Sequence, residues 1–490
     1  YHREPFAVDV SVGKTDALYG AHGYHTKVPH LAIVPSILHY TQPGDIVLDG
    51  FCGAGMTGVA AQWCGRAPRE YRKRLDAEWL TAGKERPEWG PRRAVLGDLS
   101  PAATFIAANY NIPFHLGRFV KSATEILDAL DEELGWMYRT RHTDGAEGKI
   151  NYTVWSEVFS CPQCTGEIVF VNEALDKKTK KTRAKFACPS CGAELNKDSL
   201  DRSFETLVDP VTQGPWRRIR LRPVLINYSV GDEKYEKEPE EADLAIIQRC
   251  KSLPLPTEVP TGPFPIDDMY HGSRLAPKGF TNFHHMFLPR AVRALGRLWG
   301  MADRVSDSRF RSILLFAIEQ AIWSMSVLNR YRPTGYSQVG QWLDGVYYVP
   351  SQTSELSPWY VLKGKVARLS SALRQQPGAR LTSIAGTGDC GHLSLPESSV
   401  DYVFTDPPFG ANKFYADLNL MVEAWHGVLT DPAPEAIVDL PKGKDGRDYQ
   451  ELMRRCFAEY FRALKPGRWM TVVFSNSSNA IWRAIQEAIG

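Results

Sequence analysis

Four consecutive residues, Asp406-Pro407-Pro408-Phe409, carry the most specific chemistry in the sequence. The Asp406 carboxylate and the Pro407 carbonyl are two hydrogen-bond acceptors side by side, and Phe409 adds an aromatic face. Two acceptors match the two donors of an exocyclic amino group, and a ring can stack on the base that carries it. The motif therefore predicts a pocket for the amino group of a flipped nucleobase, with an ordinary strand-ending turn as the alternative.

A buried strand must hold this motif in place. Residues Val400 to Phe404 are β-branched and aromatic, a composition typical of a buried strand. The two prolines end the strand because they donate no backbone hydrogen bond and have a fixed φ. We therefore expect the carboxylate at the carboxyl end of a strand, where open α/β sheets bind their ligands.

A second candidate site follows a predicted strand, Ile46 to Asp49, and precedes a helix that runs through Trp63. In the segment from Gly50 to Gly58 between them, Gly53 and Gly55 allow the backbone to approach a ligand closely. The segment lacks the Gly-x-Gly-x-x-Gly spacing of dinucleotide folds and has no Walker lysine. NAD and ATP are therefore unfavourable ligands for this loop.

Together the two segments resemble the S-adenosylmethionine-dependent DNA amino-methyltransferases, which methylate adenine N6 or cytosine N4. Asp406 to Phe409 is similar to motif IV, with Phe for the commoner Tyr, and Asp49 to Thr57 is similar to motif I, with Gly50 for a frequent Pro. The resemblance implies an α/β fold of the class I methyltransferase type, with a Rossmann-like sheet, and makes Asp406, Pro407, Pro408 and Phe409 the catalytic residues. The implied cofactor-binding residues are Tyr24, Lys27, Asp49, Gly50, Phe51, Cys52, Gly53, Gly55, Thr57, Asp98, Leu99, Asp389 and Cys390.

Three other stretches supply the remaining cofactor residues in this resemblance. Tyr24 to Pro29 resembles motif X, which packs against the methionine part of the cofactor, and an amphipathic helix, His30 to His39, is predicted behind it. An N-terminal arm without a cofactor role is the alternative. Asp98 is the implied partner of the ribose hydroxyls, and Asp389, after a strand from Leu381 to Ala385, that of the adenine amino group.

The elements around these acids follow the same α/β pattern. A strand, Ala94 to Leu96, precedes Asp98, and a helix, Ala102 to Tyr110, follows it. The charged segment from Arg66 to Arg93 is either a solvated helical hairpin or a DNA-facing arm. A later helix, Tyr449 to Leu464, and its following strand resemble the fifth strand unit of class I methyltransferases.

Four of the nine cysteines form two Cys-x-x-Cys pairs, Cys161 with Cys164 and Cys188 with Cys191. Each pair is a tight knuckle, and two knuckles supply four thiolates for a tetrahedral zinc ion. The same sulfur cage binds iron, and four unligated thiols are the remaining alternative. We expect a structural zinc ribbon at about residues 155–196, because a closed four-thiolate shell leaves no position for a substrate.

Two arginine-rich stretches between these sites are candidates for nucleic-acid contact. Trp216 to Arg222 alternates arginine with apolar residues, which predicts one strand with a guanidinium face or a strand edge protected by charge. Asn329 to Gly335 places two arginines around an aromatic ring after a predicted helix, Phe310 to Leu328, and is either a contact for an unstacked base or a helix cap. The predicted nucleic-acid contacts are Arg217, Arg218, Arg220, Arg222, Arg330 and Arg332.

Composition narrows the class of protein. A chain of 490 residues indicates two or three domains, and a net charge of +2 means that any nucleic-acid surface must come from local clustering. The longest apolar run, Ile313 to Ile318, is too short to span a bilayer, so we expect no membrane partner. Paired cysteines fit a reducing compartment, which predicts a cytoplasmic protein. Since the chain opens at Tyr1 without a signal peptide and without Met, we expect its natural start upstream.

The order of motif X, motif I, a long insert and motif IV is that of the α-type enzymes, in which the insert is the target recognition domain. The resemblance thus implies that residues 1–117 and 381–490 form the two halves of the methyltransferase domain, with residues 118–380 as the insert. Elements predicted within the insert are helices at 118–138 and Pro289 to Asp303 and an aromatic β-run, Trp342 to Pro350. The fold would continue with two further strands after Gly490, so we expect more chain there.

The implied activity is site-specific N6-adenine methylation of duplex DNA with a flipped target base. Larger bacterial enzymes of this kind serve restriction-modification or phage defence, where protein partners are expected. Cytosine N4 is a rival target, although that activity usually goes with Ser in place of Asp406. An RNA amino-methyltransferase and a non-catalytic DNA-binding subunit stay open, but the intact motifs I and IV oppose the second of these.

Overall fold

The computed structural model describes residues 4–7, 9–176, 178–270, 274–335, 337–374 and 382–490. Its helices are α1 (Ala17–Gly20), α2 (His30–Tyr40), α3 (Met56–Arg66), α4 (Arg69–Thr81), α5 (Pro101–Asn111), α6 (Leu116–Leu134), α7 (Phe170–Ala174), α8 (Glu241–Ser252), α9 (Pro289–Asp303), α10 (Ser308–Ile318), α11 (Gln320–Met325), α12 (Pro358–Arg374), α13 (Tyr415–His426), α14 (Gly446–Ala463) and α15 (Asn479–Ile489). Its strands are β1 (Ile46–Asp49), β2 (Arg93–Asp98), β3 (Arg139–Arg141), β4 (Glu147–Ser160), β5 (Glu167–Val169), β6 (Phe186–Ala187), β7 (Glu194–Leu195), β8 (Asp201–Arg202), β9 (Phe204–Val208), β10 (Pro215–Ile219), β11 (Leu221–Val230), β12 (Glu233–Lys237), β13 (Gln352–Leu356), β14 (Ser383–Thr387), β15 (Val400–Thr405) and β16 (Leu464–Val472).

The chain forms two compact units. Unit 1 consists of residues 1–116 and 368–490, and unit 2 of residues 117–367. The first division lies next to the predicted boundary at 117/118. The second lies within α12, ahead of the predicted boundary at 380/381, whose first strand residue, Leu381, is outside the described residues. None of the helices in the described ranges combines the length and apolar character needed to cross a bilayer.

Unit 1 is a mixed α/β unit built on a five-stranded parallel sheet in the order β14-β2-β1-β15-β16. The chain moves outward from β1 through β2 to β14, then returns to the other side of β1 to form β15. The strand order therefore reverses between β1 and β15, and such a switch point is where open α/β sheets bind ligands at the carboxyl ends of their strands.

The centre of this sheet is buried because its strands are apolar on both faces. All six residues of β15 are buried, which confirms the strand predicted from Val400 to Phe404. Helix α2 covers one face, where Tyr40 stacks on Tyr402 with ring centroids 5.1 Å apart. The prediction of an amphipathic α2 is wrong, since nine of its eleven residues are buried and the helix lies between other elements.

The charged segment before β2 contains one helix, α4, and then an extended stretch, so the predicted helical hairpin is wrong. Leu75 and Trp79 bury one face of α4. The Arg92 side chain is also buried. Its guanidinium is satisfied there because it donates to the backbone carbonyls of Glu88, Gly90 and Thr41 at 2.7–2.8 Å. Helix α5 begins as predicted, with the Ser100 hydroxyl accepting the backbone N–H of Ala103.

Unit 2 is organised around β4, a fourteen-residue strand that is the common partner in an antiparallel sheet of seven strands. Strands β11 and β13 flank it, β12 pairs with β11, and β3, β5 and β8 pair with its two ends. Helix α9 has the predicted bounds and is anchored by a buried ion pair of 2.8 Å between Arg290 and Glu355 of β13.

Several element predictions in unit 2 are wrong. Residues Trp342 to Pro350 form no strand, because the chain turns at Gly345, where φ is +81°. The helix predicted from Phe310 to Leu328 is two helices, α10 and α11, which meet at Glu319. The helix at 118–138 is α6, which ends at Leu134.

Candidate active site and metal centre

A cleft of about 890 Å³, counting the space open to solvent, lies in unit 1 at the carboxyl ends of β1, β2 and β15. Among the predicted site residues it is lined by Tyr24, Lys27, Asp49, Gly50, Phe51, Cys52, Gly53, Thr57, Asp98, Leu99, Asp389, Cys390, Asp406 and Pro408. The predicted residues that do not line it are Gly55, Pro407 and Phe409. Residues from chain positions more than 350 apart thus meet at one sheet edge, and we call this space the unit 1 cleft.

The glycine loop after β1 forms one wall of the unit 1 cleft. Gly53 has a φ of +47°, and its N–H donates to the Asp98 carboxylate at 2.9 Å. A Cβ atom at Gly53 would meet the Tyr24 ring at 3.0 Å, so the loop and the arm before α2 approach closely only through a glycine. Gly55, with a φ of +76°, instead packs on α5, because its Cβ would lie 2.7 Å from that of Ala107.

Gly50, which stands where the resembling family often has Pro, is enclosed on two sides. Its N–H donates to the Tyr460 hydroxyl at 3.0 Å, a bond that a proline could not make. A Cβ here would lie 2.6 Å from both the Cys390 sulfur and the Tyr460 oxygen. Tyr460 also bonds to the Thr405 hydroxyl at 2.9 Å, and so ties the end of β1 to the end of β15.

Two acids line the cleft beside the glycine loop, the buried Asp49 and the half-buried Asp98. Burial raises the pKa of Asp49 to about 7 and that of Asp98 to about 6. Asp49 accepts from the Thr57 hydroxyl at 2.5 Å, and Asp98 accepts from the backbone of Gly53 and Ser100, each at 2.9 Å. Both carboxyls therefore brace the glycine loop, and a ribose contact by Asp98 stays a prediction.

Two other predicted cofactor residues, Asp389 and Lys27, already make polar contacts within the chain. Asp389 caps a short helical turn by accepting the N–H of Gly391 at 2.7 Å, with Arg455 at 3.4 Å. The Lys27 ammonium donates to the backbone carbonyls of Tyr19 and His22, and burial lowers its pKa to about 8. Lys27 thus anchors the arm before α2, and its charge is already engaged within the chain.

The Asp406 turn presents an acceptor that lacks a donor. The Oδ1 atom of Asp406 is buried, and among the described residues it has no hydrogen-bond partner. Burial raises the pKa of this carboxyl to about 7. A buried polar atom without a partner costs free energy, so this oxygen at the carboxyl end of β15 is a candidate acceptor for a ligand.

The turn itself is held from outside. The Tyr449 hydroxyl donates to the Pro408 carbonyl at 2.9 Å, and the Asn476 amide donates to that of Phe409 at 2.8 Å. In the described part of the chain the Pro407 carbonyl accepts no hydrogen bond. The Phe409 ring packs edge-on against Phe474, with centroids 5.0 Å apart. The backbone of the turn is fixed, while the Oδ1 atom of Asp406 and the Pro407 carbonyl accept no hydrogen bond from the described residues.

Helix α13, which follows the Asp406 turn, contacts the arm before α2 and the residue that caps α5. Its Asn419 amide oxygen accepts from His25 Nε2 at 2.9 Å, and its amide nitrogen donates to the Ser100 hydroxyl at 2.9 Å. Its Tyr415 hydroxyl bonds to that of Thr26 at 2.9 Å. These pairs lie about 300 to 400 residues apart in the chain, so no local pattern predicts them.

The four paired cysteines of unit 2 meet in one cluster, as predicted. Cys161 and Cys191 are 3.9 Å apart at sulfur, Cys164 and Cys188 are 3.7 Å apart, and all four sulfurs lie within 4.8 Å of one another. Four thiolates at about 2.3 Å from a tetrahedral zinc ion would be about 3.8 Å apart. The arrangement therefore fits such an ion.

The two knuckles have the same backbone geometry. The N–H groups of Thr165 and Gly192 bond to the carbonyls of Cys161 and Cys188 at 2.9 Å, and both residues have positive φ. Backbone N–H groups of Cys191 and Ser190 lower the pKa of the Cys188 thiol. The core beneath the knuckles consists of only a few apolar side chains, chiefly Phe159, Ile168, Phe170, Phe186 and Leu195. So small a core needs an additional crosslink.

A second buried cluster, Asp209 with His284 and His285, is explained by hydrogen bonding. Both imidazole Nε2 atoms approach the same Asp209 oxygen, at 3.1 and 2.7 Å. Nδ1 of His285 accepts backbone N–H groups of Thr281 and Asn282, which leaves the proton on Nε2 as the donor to Asp209. In this tautomer the Nε2 atom of His285 has no lone pair free for a metal ion.

The arginines of the predicted DNA-contacting strand do not share one face. The stretch is two strands, because β10 pairs with β9 while β11 pairs with β4, and Arg220 lies between them. Arg217 lies over the Phe204 ring at 4.0 Å, and Arg218 is buried with Glu205 at 3.0 Å. The predictions of a single strand and of an exposed Arg218 are wrong, since Trp216 and Arg218 turn towards the interior of the unit.

The other predicted contacts are more accessible. Arg220 and Arg222 are both partly exposed and pair with the same carboxylate, Glu167, at 2.7 and 2.6 Å. Arg332 is exposed, but Tyr331 beside it is only 5% exposed and cannot stack on an unstacked base. Helix α11 ends at Met325, so the predicted helix cap at Asn329 is wrong as well.

The comparisons with known proteins give one match, and it includes part of the chain that forms the unit 1 cleft. A family model described as DNA methylase matches residues 9–85, a segment that contains the arm before α2 and the glycine loop. No curated protein and no solved structure matches the chain. The match supports a DNA methyltransferase with DNA as its substrate, and because the family covers both N6 and N4 enzymes, it does not distinguish between these two target atoms.

Proposed function

We propose that the chain transfers a methyl group from S-adenosylmethionine to the N6 amino group of adenine in DNA. The reaction would take place in unit 1, which we propose to have the class I methyltransferase fold. The observation that carries the proposal is the buried Asp406 oxygen without a partner among the described residues, at the switch point that also holds the glycine loop. An amino group of a flipped base would supply the donor that this oxygen lacks.

The polar groups of the cleft suit the cofactor. The left-handed backbone at Gly53 brings main-chain atoms to the wall of the cleft, where a ligand can approach them closely. Asp98 and Asp389 would accept from the ribose hydroxyls and the adenine amino group. When bound, S-adenosylmethionine supplies an electrophilic methyl group on its sulfonium.

The residues of motif IV would position the amine rather than act as a strong base. The nitrogen lone pair of an aromatic amine is delocalised into the ring and is a poor nucleophile. The acceptors at Asp406 and Pro407 would bind both N–H donors and favour a pyramidal nitrogen. Stacking of Phe409 on the base stays a prediction, because its ring packs against Phe474 and does not line the cleft. Tyr449 and Asn476 fix the turn, so no reorganisation is needed when the base enters.

Cytosine N4 is the second candidate target, because the matching family contains both kinds of enzyme. The presence of Asp rather than Ser at position 406 favours adenine. An RNA substrate is a further alternative with the same chemistry at the amine. Roles in host modification or phage defence, protein partners and a cytoplasmic location stay predictions.

Unit 2 would contribute target recognition, with one structural zinc ion on Cys161, Cys164, Cys188 and Cys191. The spacing of the four sulfurs supports the zinc ion. Among the arginines, Arg217, Arg220, Arg222, Arg330 and Arg332 remain the proposed DNA contacts. The buried Arg218 is left out of this set.

The test is expression of the protein in a host without DNA methylation, followed by sequencing that detects modified bases. The proposal predicts N6-methyladenine within a defined sequence. N4-methylcytosine within a defined sequence would instead identify cytosine N4 as the target. Unmodified DNA together with methylated structured RNA would identify RNA as the substrate. Modification that persists after Asp406→Ala would exclude this turn as the catalytic site.

A further inference from the structure

The unit 1 cleft contains a further acid, the buried Glu435, that the resemblance does not assign. It lies in the segment between α13 and α14, and its side chain is only 5% exposed although it lines the cleft. Its Oε1 atom accepts the N–H of Ala416 in the first turn of α13 at 3.0 Å. Its Oε2 atom is buried and has no hydrogen-bond partner among the described residues.

The nearby lysines do not neutralise this carboxyl. Lys444 donates to the backbone carbonyls of Pro432 and Glu435, at 2.7 and 2.8 Å, which fixes the segment rather than the acid. Lys442 pairs with Asp417 at 2.8 Å and with Asp439 at 2.7 Å. Burial raises the pKa of Glu435 to about 7, so the protonated form of this carboxyl is more accessible than that of an exposed glutamate.

A protonated carboxyl offers what motif IV lacks. The two acceptors at Asp406 and Pro407 suit the amino hydrogens of the base, but the ring nitrogen next to that amine is an acceptor and requires a donor. Adenine N1 and cytosine N3 both occupy this position. An O–H group that shares the cleft with Asp406 is suited to that nitrogen.

We propose that Glu435 donates a hydrogen bond from its protonated carboxyl to the ring nitrogen beside the target amine, and so orients the flipped base. This inference rests on the proposed function of the cleft. Glu435 then has two contacts, since Oε1 continues to accept from Ala416 while the Oε2 hydroxyl faces the base. The competing explanation is that Glu435 only caps α13.

The experiment compares duplex DNA carrying adenine at the mapped target with the same duplex carrying 1-deazaadenine, which keeps the amine and lacks N1. The variants are Glu435→Ala and Glu435→Gln, with Glu451→Ala on the exposed face of α14 as the matched control. The measured quantity is kcat/KM for methyl transfer, with cofactor affinity by calorimetry and the melting temperature alongside.

The proposal predicts that the parent protein loses about tenfold or more in kcat/KM on 1-deazaadenine, and that Glu435→Ala loses a similar factor on adenine. On 1-deazaadenine, Glu435→Ala should lose little more, because the contact is already absent. Glu435→Gln should stay within about threefold of the parent, since its amide both accepts from Ala416 and donates to the base. Cofactor affinity should not change.

Equal rates of the parent on both duplexes would overturn the proposal, as would the same fractional loss for Glu435→Ala on both, which is the result of a cap alone. If Glu435→Ala lowers the melting temperature, Glu435→Met, which keeps the side-chain length without a donor, replaces it. Failure of the parent protein to methylate any DNA would instead count against the proposed function. If the mapped base is cytosine, 3-deazacytosine takes the place of 1-deazaadenine.

Discussion

The first prediction concerns Gly50, a position at which the family that this chain resembles often has Pro. A Cβ at this position would lie 2.6 Å from the Cys390 sulfur and from the Tyr460 hydroxyl, about 1 Å inside ordinary contact of about 3.5–4 Å. Gly50→Ala therefore forces the end of β1 away from Tyr460. Overpacking costs about 1–3 kcal/mol, and a weakened hydrogen bond from Gly50 to Tyr460 adds about 0.5–1.5 kcal/mol.

The expected loss of about 1.5–4.5 kcal/mol corresponds to a fall of roughly 3–18 °C in the melting temperature of a unit of this size. Because Gly50 and the glycine loop are contiguous, cofactor affinity measured by calorimetry should fall as well. The matched control is Gly386→Ala on β14, where no atom lies within 4 Å of the added Cβ. Adding Cys390→Ala to Gly50→Ala should recover part of the loss, since it removes one of the two obstructing atoms.

The reasoning would be refuted if Gly50→Ala and Gly386→Ala gave the same melting temperature and the same cofactor affinity. It would also fail if Cys390→Ala lowered stability in the Gly50→Ala background as much as it does alone. In that case the close approach of β1, Cys390 and Tyr460 does not constrain the loop.

Three other predictions concern metal, charge and pH. Elemental analysis should find one zinc ion per chain, and Cys161→Ser should abolish it, while a disulfide among the four cysteines or metal-free protein in reducing buffer would contradict the zinc ribbon. Replacing both Arg220 and Arg222 by Gln should weaken DNA binding and lower its dependence on salt, whereas a matched change at the exposed Arg454 should not; equal salt slopes would exclude the phosphate contacts. The pKa of Asp406 is raised from 3.8 to about 7, so the folded state holds more protons between these values and stability falls as pH rises through that window. Asp406→Asn should therefore melt higher than the parent at pH 8, with the difference shrinking towards pH 5, and a difference independent of pH would contradict the assignment.

Much of unit 1 could be predicted because its signals are local. The apolar run of β15, the prolines that end it and the cap of α5 by Ser100 are all short-range patterns, and each is confirmed. The cysteine pairs are equally local, since the geometry of a knuckle is set within four residues. Predictions failed where burial depends on distant partners, as for α2, which looks amphipathic but is covered on nearly every side.

The elements that sequence reasoning missed are held by long-range pairing. Strand β4 joins segments from residue 139 to residue 356 into one sheet, and nothing in its own residues specifies those partners. The change of pairing strand at Arg220, from β9 to β4, is likewise not specified by the alternating pattern of Trp216 to Arg222. Glu435 in the unit 1 cleft and Tyr460, which bonds to Gly50 at its wall, were not predicted, because an acid or a hydroxyl on a loop or helix shows no function until its unpaired atoms and neighbours are known.

The central claim is that the turn after β15 positions a target amine, and methyl transfer by Asp406→Ala tests it most directly. Tritium incorporated from labelled S-adenosylmethionine into adenine-containing duplex DNA is the quantity to measure, with calorimetry of cofactor binding on the same variant. Loss of one oriented acceptor should cost about 3–4 kcal/mol of transition-state stabilisation, which is a rate at least a hundredfold lower. We expect that loss with cofactor affinity retained. Near-parental turnover by Asp406→Ala would contradict the account, because the amine would then be held elsewhere.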